Sequence, residues 1–203
     1  MRYKITQDWQ GDTVCILGGG PSLADADLSN MPQDWRAIAI NEAGLTKAPE
    51  SDVLFFGDFR WYSWNRSRLK FYMGQETITR GYDYMYPDHI KVSHWDRDQP
   101  IHKSANAIGG WCSGGSAIDL AYKRGAAKII LLGFDMNDKG KANWHDAHKE
   151  PATPNSKRDH FIPSLERASE ALKETGVTVI NATPKSKLTC FEFAPWEDLC
   201  LSR

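Results

Sequence analysis

Four short apolar runs in this chain each stop on a glycine, an asparagine or an aspartate, and that punctuation narrows the possible folds more than any other feature. Residues 13–17 run into Gly18, Gly19, Gly20, Pro21 and Ser22; 35–40 into Asn41; 52–56 into Gly57 and Asp58; and 128–132 into Gly133, Phe134 and Asp135. A run that stays apolar without alternation is a strand covered on both faces, the kind from which parallel sheets are built. Helical stretches fall between such runs. Residues 117–124 end at Gly125, and 160–175 place Leu165, Ala168, Ala171 and Leu172 on one face before Gly176. Asp58 is placed to cap a further helix over 59–72, and a last strand is expected over 177–180. The alternation predicts an α/β domain: a mainly parallel, Rossmann-like sheet covered by helices on both faces, in one unit spanning 1–203.

Two stretches are less regular. Residues 76–79 and 89–93 read as short strands inside an aromatic-rich insertion, about 59–103, that includes Trp61, Tyr62, Trp64, Tyr82, Tyr84, Tyr86 and Trp95. Such a cluster can stack a base or a sugar ring, but it more often packs under a loop or forms a subunit interface, so a homo-oligomer is one expectation. The polar stretch 136–159 is too long for a routine connection. Lys139, Lys141, Lys149, Lys157 and Arg158 make it basic, as for a lid over phosphates or an ordinary solvated loop.

Composition excludes several classes. The formal net charge is −1, so whole-molecule attraction to duplex nucleic acid is absent. Cys15, Cys112, Cys190 and Cys200 have no C-x-x-C spacing and read as free thiols. No apolar stretch reaches about 18 residues and the first eleven residues are polar, so a soluble, cytoplasmic protein without a membrane span is expected.

In open parallel sheets the ligand sits outside the carboxyl ends of the strands. That rule collects Gly18, Gly19, Gly20, Pro21, Ser22, Asn41, Gly57, Asp58, Asp135 and the Ser113, Gly114, Gly115, Ser116 loop. The last is the better anion cradle, because a helix follows it directly. The first loop lacks the third glycine of a dinucleotide fingerprint, and no G-x-x-x-x-G-K-[ST] occurs. Ser113 is not in a G-x-S-x-G context, so a serine hydrolase is not indicated. His145, Asp146 and His148 form an H-D-x-H cluster that could ligate a metal, and Asp96-Arg97-Asp98 matches D-x-D only trivially. Asp58 and Asp135, each at a strand end, are the better carboxylates for Mg²⁺.

A strand ending in G-x-G-P-S-L, an asparagine ending the next strand, then S-G…A…A…G-A-x-x-I-x-L-x-G-x-D, resembles one group. It comprises the family 42 sialyltransferases, the Maf flagellin glycosyltransferases and the archaeal-type hydroxymethylpterin diphosphokinases. The matching residues are Gly18, Gly20, Pro21, Ser22, Leu23 and Asn41, then Ser113, Gly114, Ala117, Ala121, Gly125, Ala126, Ile129, Leu131, Gly133 and Asp135. The resemblance implies a transferase with a nucleotide-activated donor, needing no cofactor, and a histidine base; His160 is the position that fits. Gly19 stands where those sialyltransferases usually carry asparagine, and Trp144 and His145 occupy the approximate place of their phosphate-binding tyrosines. The diphosphokinase branch implies instead Mg²⁺ held by Asp58 and Asp135. A non-catalytic nucleotide-binding module is the third reading. The acceptor is not indicated.

Overall fold

A computed structural model describes residues 3–137 and 140–201; Lys139 of the basic stretch lies outside them. Nine strands form one sheet: β1 (Thr13–Leu17), β2 (Arg36–Ile40), β3 (Val53–Phe56), β4 (Glu76–Arg80), β5 (Lys91–Asp96), β6 (Ala107–Gly109), β7 (Lys128–Leu132), β8 (Thr178–Asn181) and β9 (Glu192–Phe193). Their order is β6-β5-β4-β3-β2-β1-β7-β8-β9, and every neighbouring pair is parallel. The chain therefore builds outward from β1 to β6 and then returns to the other side of β1, so the order reverses between β1 and β7. The helices are α1 (Phe59–Asn65), α2 (Ser113–Arg124), α3 (Pro154–Ser156), α4 (Ile162–Leu172) and α5 (Trp196–Leu201).

The unbroken apolar strands divide their side chains between two cores. Val14 and Ile16 of β1 join Ile38, Ile129 and Leu131 on the face covered by α2 and α4, with Ile118, Leu120, Leu165 and Leu172. Cys15 and Leu17 join Ala39, Ile130 and Leu132 on the other, with Leu23, Trp196 and Leu199. That period-two division explains why no polar alternation was visible. Both faces are covered, as the strand pattern predicts.

Several boundaries differ from the sequence reading. The helix from Phe59 ends at Asn65, not at 72. Arg68 there turns to the buried carboxylate of Glu42, with contacts of 2.5 and 2.8 Å. The helix expected over 160–175 is α4, preceded by a wide turn over Lys157–Phe161, and Ala171 faces solvent. Helix α2 starts at Ser113, four residues before the apolar periodicity does. The final strand is β9, beyond the one expected last. The aromatic stretch 59–103 supplies α1, β4 and β5, extending the sheet. Among the described residues no helix is long and apolar enough to cross a membrane.

Candidate functional site

The reversal between β1 and β7 leaves a crevice at their carboxyl ends, and the first glycine loop is fitted into it. A Cβ on Gly18 would lie 2.5 Å from the Gly133 carbonyl oxygen, and one on Gly20 would lie 1.9 Å from Asp135 Oδ2. Gly20 N–H donates to that same Gly133 carbonyl at 2.8 Å. The buried Asp135 carboxylate accepts from Ser22 N (3.1 Å) and Ser22 Oγ (2.8 Å), closing the turn that Pro21 opens. Gly20, Pro21, Ser22 and Asp135 thus bind the two loops to each other, while Gly18 and Gly19 face the opening.

That opening is a cavity of about 860 Å³. Asn41 lines it in the left-handed region (φ 55°), a conformation that asparagine tolerates better than most residues. Its N–H pairs with Phe55 O at 2.9 Å, whereas its Oδ1 is shielded from solvent and has no partner among the described residues. A buried acceptor left without a donor is costly, which suits a ligand N–H or O–H arriving there. Ser113 and Gly114 line the next stretch at the start of α2; Gly115 does not. Cys112 caps this helix, its Sγ accepting from Gly115 N at 3.4 Å. Asp58 also lines the cavity, but its carboxylate caps α1 through Arg60 N (2.8 Å) and touches the Arg60 guanidinium (3.4 Å).

His160 enters from the wide turn before α4. Its imidazole stacks on the Trp111 indole, with centroids 5.2 Å apart and planes at 17°, and both rings line the cavity. Trp111 is itself anchored. Its N–H donates to Ser164 Oγ (3.0 Å), its carbonyl accepts from Arg80 Nη2 (3.0 Å), and Arg97 Cζ lies 4.6 Å from its ring centre. Arg80, at the end of β4, is buried yet lines the same cavity, and desolvation pulls its pKa down to about 10. Neither Trp111 nor Arg80 was singled out by the sequence reading. No motif marks them; only the topology, which brings β4 and the β6–α2 loop together, does so. The aromatic stretch serves both: Trp61 packs into a core with Phe56 and also borders the cavity, which Phe59, Trp64, Tyr82, Tyr86 and Trp95 line as well.

The stretch after β7 folds over one side of the opening. Trp144 N–H donates to Gly19 O at 3.2 Å, and His148 sets its ring edge-on to Trp64 at 6.2 Å. Arg60 and Glu150 pair at 2.6 Å. The H-D-x-H cluster does not assemble: among the described residues no three His, Cys, Asp or Glu side chains form a group that could hold a metal ion. His145 packs against Trp144 instead, with centroids 4.9 Å apart. Trp144 packs against the second core, so neither it nor His145 lines the cavity as the resemblance suggested. The basic residues are partly spent on structure, Lys157 Nζ donating to Asn137 O at 2.7 Å.

No family model matches this chain, and no curated protein does. Solved structures do. The sialyltransferase CstII from Campylobacter jejuni, in complex with the substrate analogue cytidine-5'-monophosphate, superposes with a TM-score of 0.59 at 16% identity, over 92% of this chain and 86% of that one. The sialyltransferase CST-II in complex with a trisaccharide acceptor and CMP gives 0.61 at 18%, over 92% and 87%. The monofunctional alpha-2,3-sialyltransferase Cst-I from Campylobacter jejuni gives 0.53 at 13%, over 90% and 79%. What is common to these chains is the fold: this protein has the single-domain α/β architecture of those sialyltransferases.

Proposed function

We propose that this chain is a transferase that takes a nucleotide-activated sugar, of the CMP-sugar class, and passes the sugar to a hydroxyl acceptor with His160 as general base. One observation carries the reading. Gly18 and Gly19, Asn41, Ser113 and Gly114, and His160, from four separate parts of the chain, line one cavity. The fold neighbours solved with CMP, one of them also with a trisaccharide acceptor, support it.

Each group has a physical role in this reading. The glycines let the ligand approach the backbone. The first turn of α2 offers unpaired N–H groups and a positive dipole end to the phosphate, which becomes the leaving group. Asn41 Oδ1 takes a hydrogen bond from the donor. His160 removes the acceptor proton as the acceptor oxygen bonds to the anomeric carbon and the bond from that carbon to the phosphate oxygen breaks. General-base help of this kind typically contributes about 10²–10⁴-fold. The Mg²⁺-dependent diphosphokinase reading has less support, because the Asp58 and Asp135 carboxylates already serve Arg60 and Ser22.

The test is a thermal-shift panel of CMP, UMP, GMP, AMP, the corresponding triphosphates and sugar conjugates, with and without Mg²⁺, followed by donor hydrolysis. A ligand at about 100 times its dissociation constant adds roughly 2.7 kcal/mol of stability. Selective stabilisation by a cytidine nucleotide and Mg²⁺-independent hydrolysis are expected. Stabilisation only by a nucleoside triphosphate with Mg²⁺ would move the protein to the diphosphokinase reading.

A further inference from the structure

Arg80 is 6% exposed, faces the cavity, and makes no ion pair with a carboxylate among the described residues. Its donors go to neutral acceptors. Nε reaches Gly57 O at 3.3 Å, Nη1 reaches Gly110 O at 2.6 Å and Cys112 O at 3.5 Å, and Nη2 reaches Trp111 O at 3.0 Å. Nη1 also contacts Ser116 Oγ, and the Trp95 ring centre lies 4.2 Å from Cζ. Asp58, whose field acts on this guanidinium, spends its carboxylate on Arg60. Carbonyl dipoles and a π face orient the cation but leave it without a direct carboxylate partner among the described residues. Arginine does not shed its proton at physiological pH, and burying an unpaired charge is expensive. A group kept so, at a ligand-sized cavity, is a candidate for pairing with a ligand.

A second observation locates where that pairing would occur. A Cβ on Gly57 would stand 2.7 Å from Arg80 Nε, 3.0 Å from Nη2 and 2.9 Å from Ser113 Oγ. The guanidinium edge and the Ser113 hydroxyl therefore converge over one bare backbone position, beside the first turn of α2. That hydroxyl makes no hydrogen bond among the described residues, and Gly57, Arg80 and Ser113 all line the cavity.

We propose that Arg80 is the counter-charge for an oxyanion of the bound ligand, a phosphate ester or a sugar carboxylate, held together with the Ser113 hydroxyl. The inference rests on the proposed reading for the ligand's identity, not for its charge. Arg80 also ties the loop before α2 to the ends of β3 and β4, so the anion site is built before the ligand arrives.

Binding of inorganic phosphate, cytidine, CMP and a CMP-linked carboxylated sugar to the wild type, Arg80→Gln and Ser113→Ala separates the possibilities. Arg80→Gln is expected to weaken the anionic probes by about tenfold or more and to leave cytidine unchanged. Loss for phosphate and CMP identifies the phosphate as the anion; loss confined to the carboxylated conjugate identifies the carboxylate. Ser113→Ala removes no hydrogen bond among the described residues and should weaken the same probe severalfold, so it stands in if Arg80→Gln does not fold. Arg80-dependent phosphate binding without any nucleotide binding would end the transferase reading and keep this one. Wild-type affinity for every anionic probe in both variants, or no anion binding by the wild type, would overturn it.

Discussion

The imidazole of His160 lies nearly parallel to the indole of Trp111, with their centres 5.2 Å apart. An aromatic pair in this offset geometry is worth about 0.5–1.5 kcal/mol beyond its burial, enough to select one ring orientation. Trp111 cannot drift, because Ser164 holds its N–H and Arg80 its carbonyl. It is thus a positioning residue for the proposed base. Trp111→Leu should leave donor binding intact and lower turnover by roughly tenfold, while Trp111→Phe retains most of it; misplacement by about 1 Å can cost up to 10²-fold. In a His160→Ala background the Trp111→Leu change should add nothing. Independent, multiplying losses in that double-mutant cycle would show that Trp111 does not act through His160.

Gly114 lines the cavity, but a side chain there would meet the core as well as any ligand. A Cβ there would lie 2.7 Å from Cε1 of the buried Phe134 ring. Gly114→Val should therefore destabilise the protein by about 1–3 kcal/mol through overpacking. A chain of this size loses about 2–4 °C of Tm per kcal/mol. An unchanged melting temperature would show that Phe134 has room to yield. The cleaner probe of this loop is Ser113→Ala.

How much of this was legible follows from what each element is made of. β1 and β7 stood out because both of their faces are covered, so every residue after the leading Thr13 and Lys128 is apolar. β6 and β9 did not, because elements of three and two residues carry no periodicity. The start of α2 was read late because Ser113, Gly114 and Gly115 are poor helix formers, placed there by Cys112 capping and by packing against Phe134. The glycine loops, Asn41 and His160 were reachable through strand ends and resemblance. Arg80 and Trp111 were not, since an arginine ending a strand and a tryptophan in a loop become a site only when distant segments converge. Trp144 misled for the same reason in reverse: its backbone touches Gly19, but its ring turns into the core.

Asp135 offers a separate test of the crevice. Its carboxylate is buried, and Ser22 supplies it with two donors at 3.1 and 2.8 Å. Asp135→Asn, in the absence of any ligand or metal, should cost about 1–3 kcal/mol. Combined with Ser22→Ala, the losses should fall short of additive, since both remove one contact. Denaturant titration of the two single variants and the double variant measures this. Full stability of Asp135→Asn would return this carboxylate to the candidates for binding Mg²⁺.

The loop over the cavity should undock as pH falls. His148 lies edge-on to Trp64, Lys149 Nζ is 5.7 Å from the same indole, and Arg60 pairs with Glu150. That ion pair is exposed and screened by solvent, so the histidine contact matters to the balance. Burial lowers the His148 pKa below its ordinary value, with Asp58 and Glu150 opposing the shift; His145 is lowered in the same direction, also by burial. The sign then follows. In the undocked loop the rings titrate near their ordinary value of about 6.5, and in the docked loop lower. Docking is at full strength above the ordinary value. It weakens as pH falls through it, because the undocked state takes up protons that the docked one resists. Hydrogen exchange across 141–153, corrected for intrinsic rates and referenced to β1, should be slower at about pH 7.5 than at about pH 5.5, the interval in which histidine changes charge. A bound donor should slow it further. His148→Phe keeps a ring for Trp64 and removes the titrating nitrogen, so it should flatten much of the pH dependence. Equal protection at both pH values in the wild type would mean that these histidines do not govern the loop.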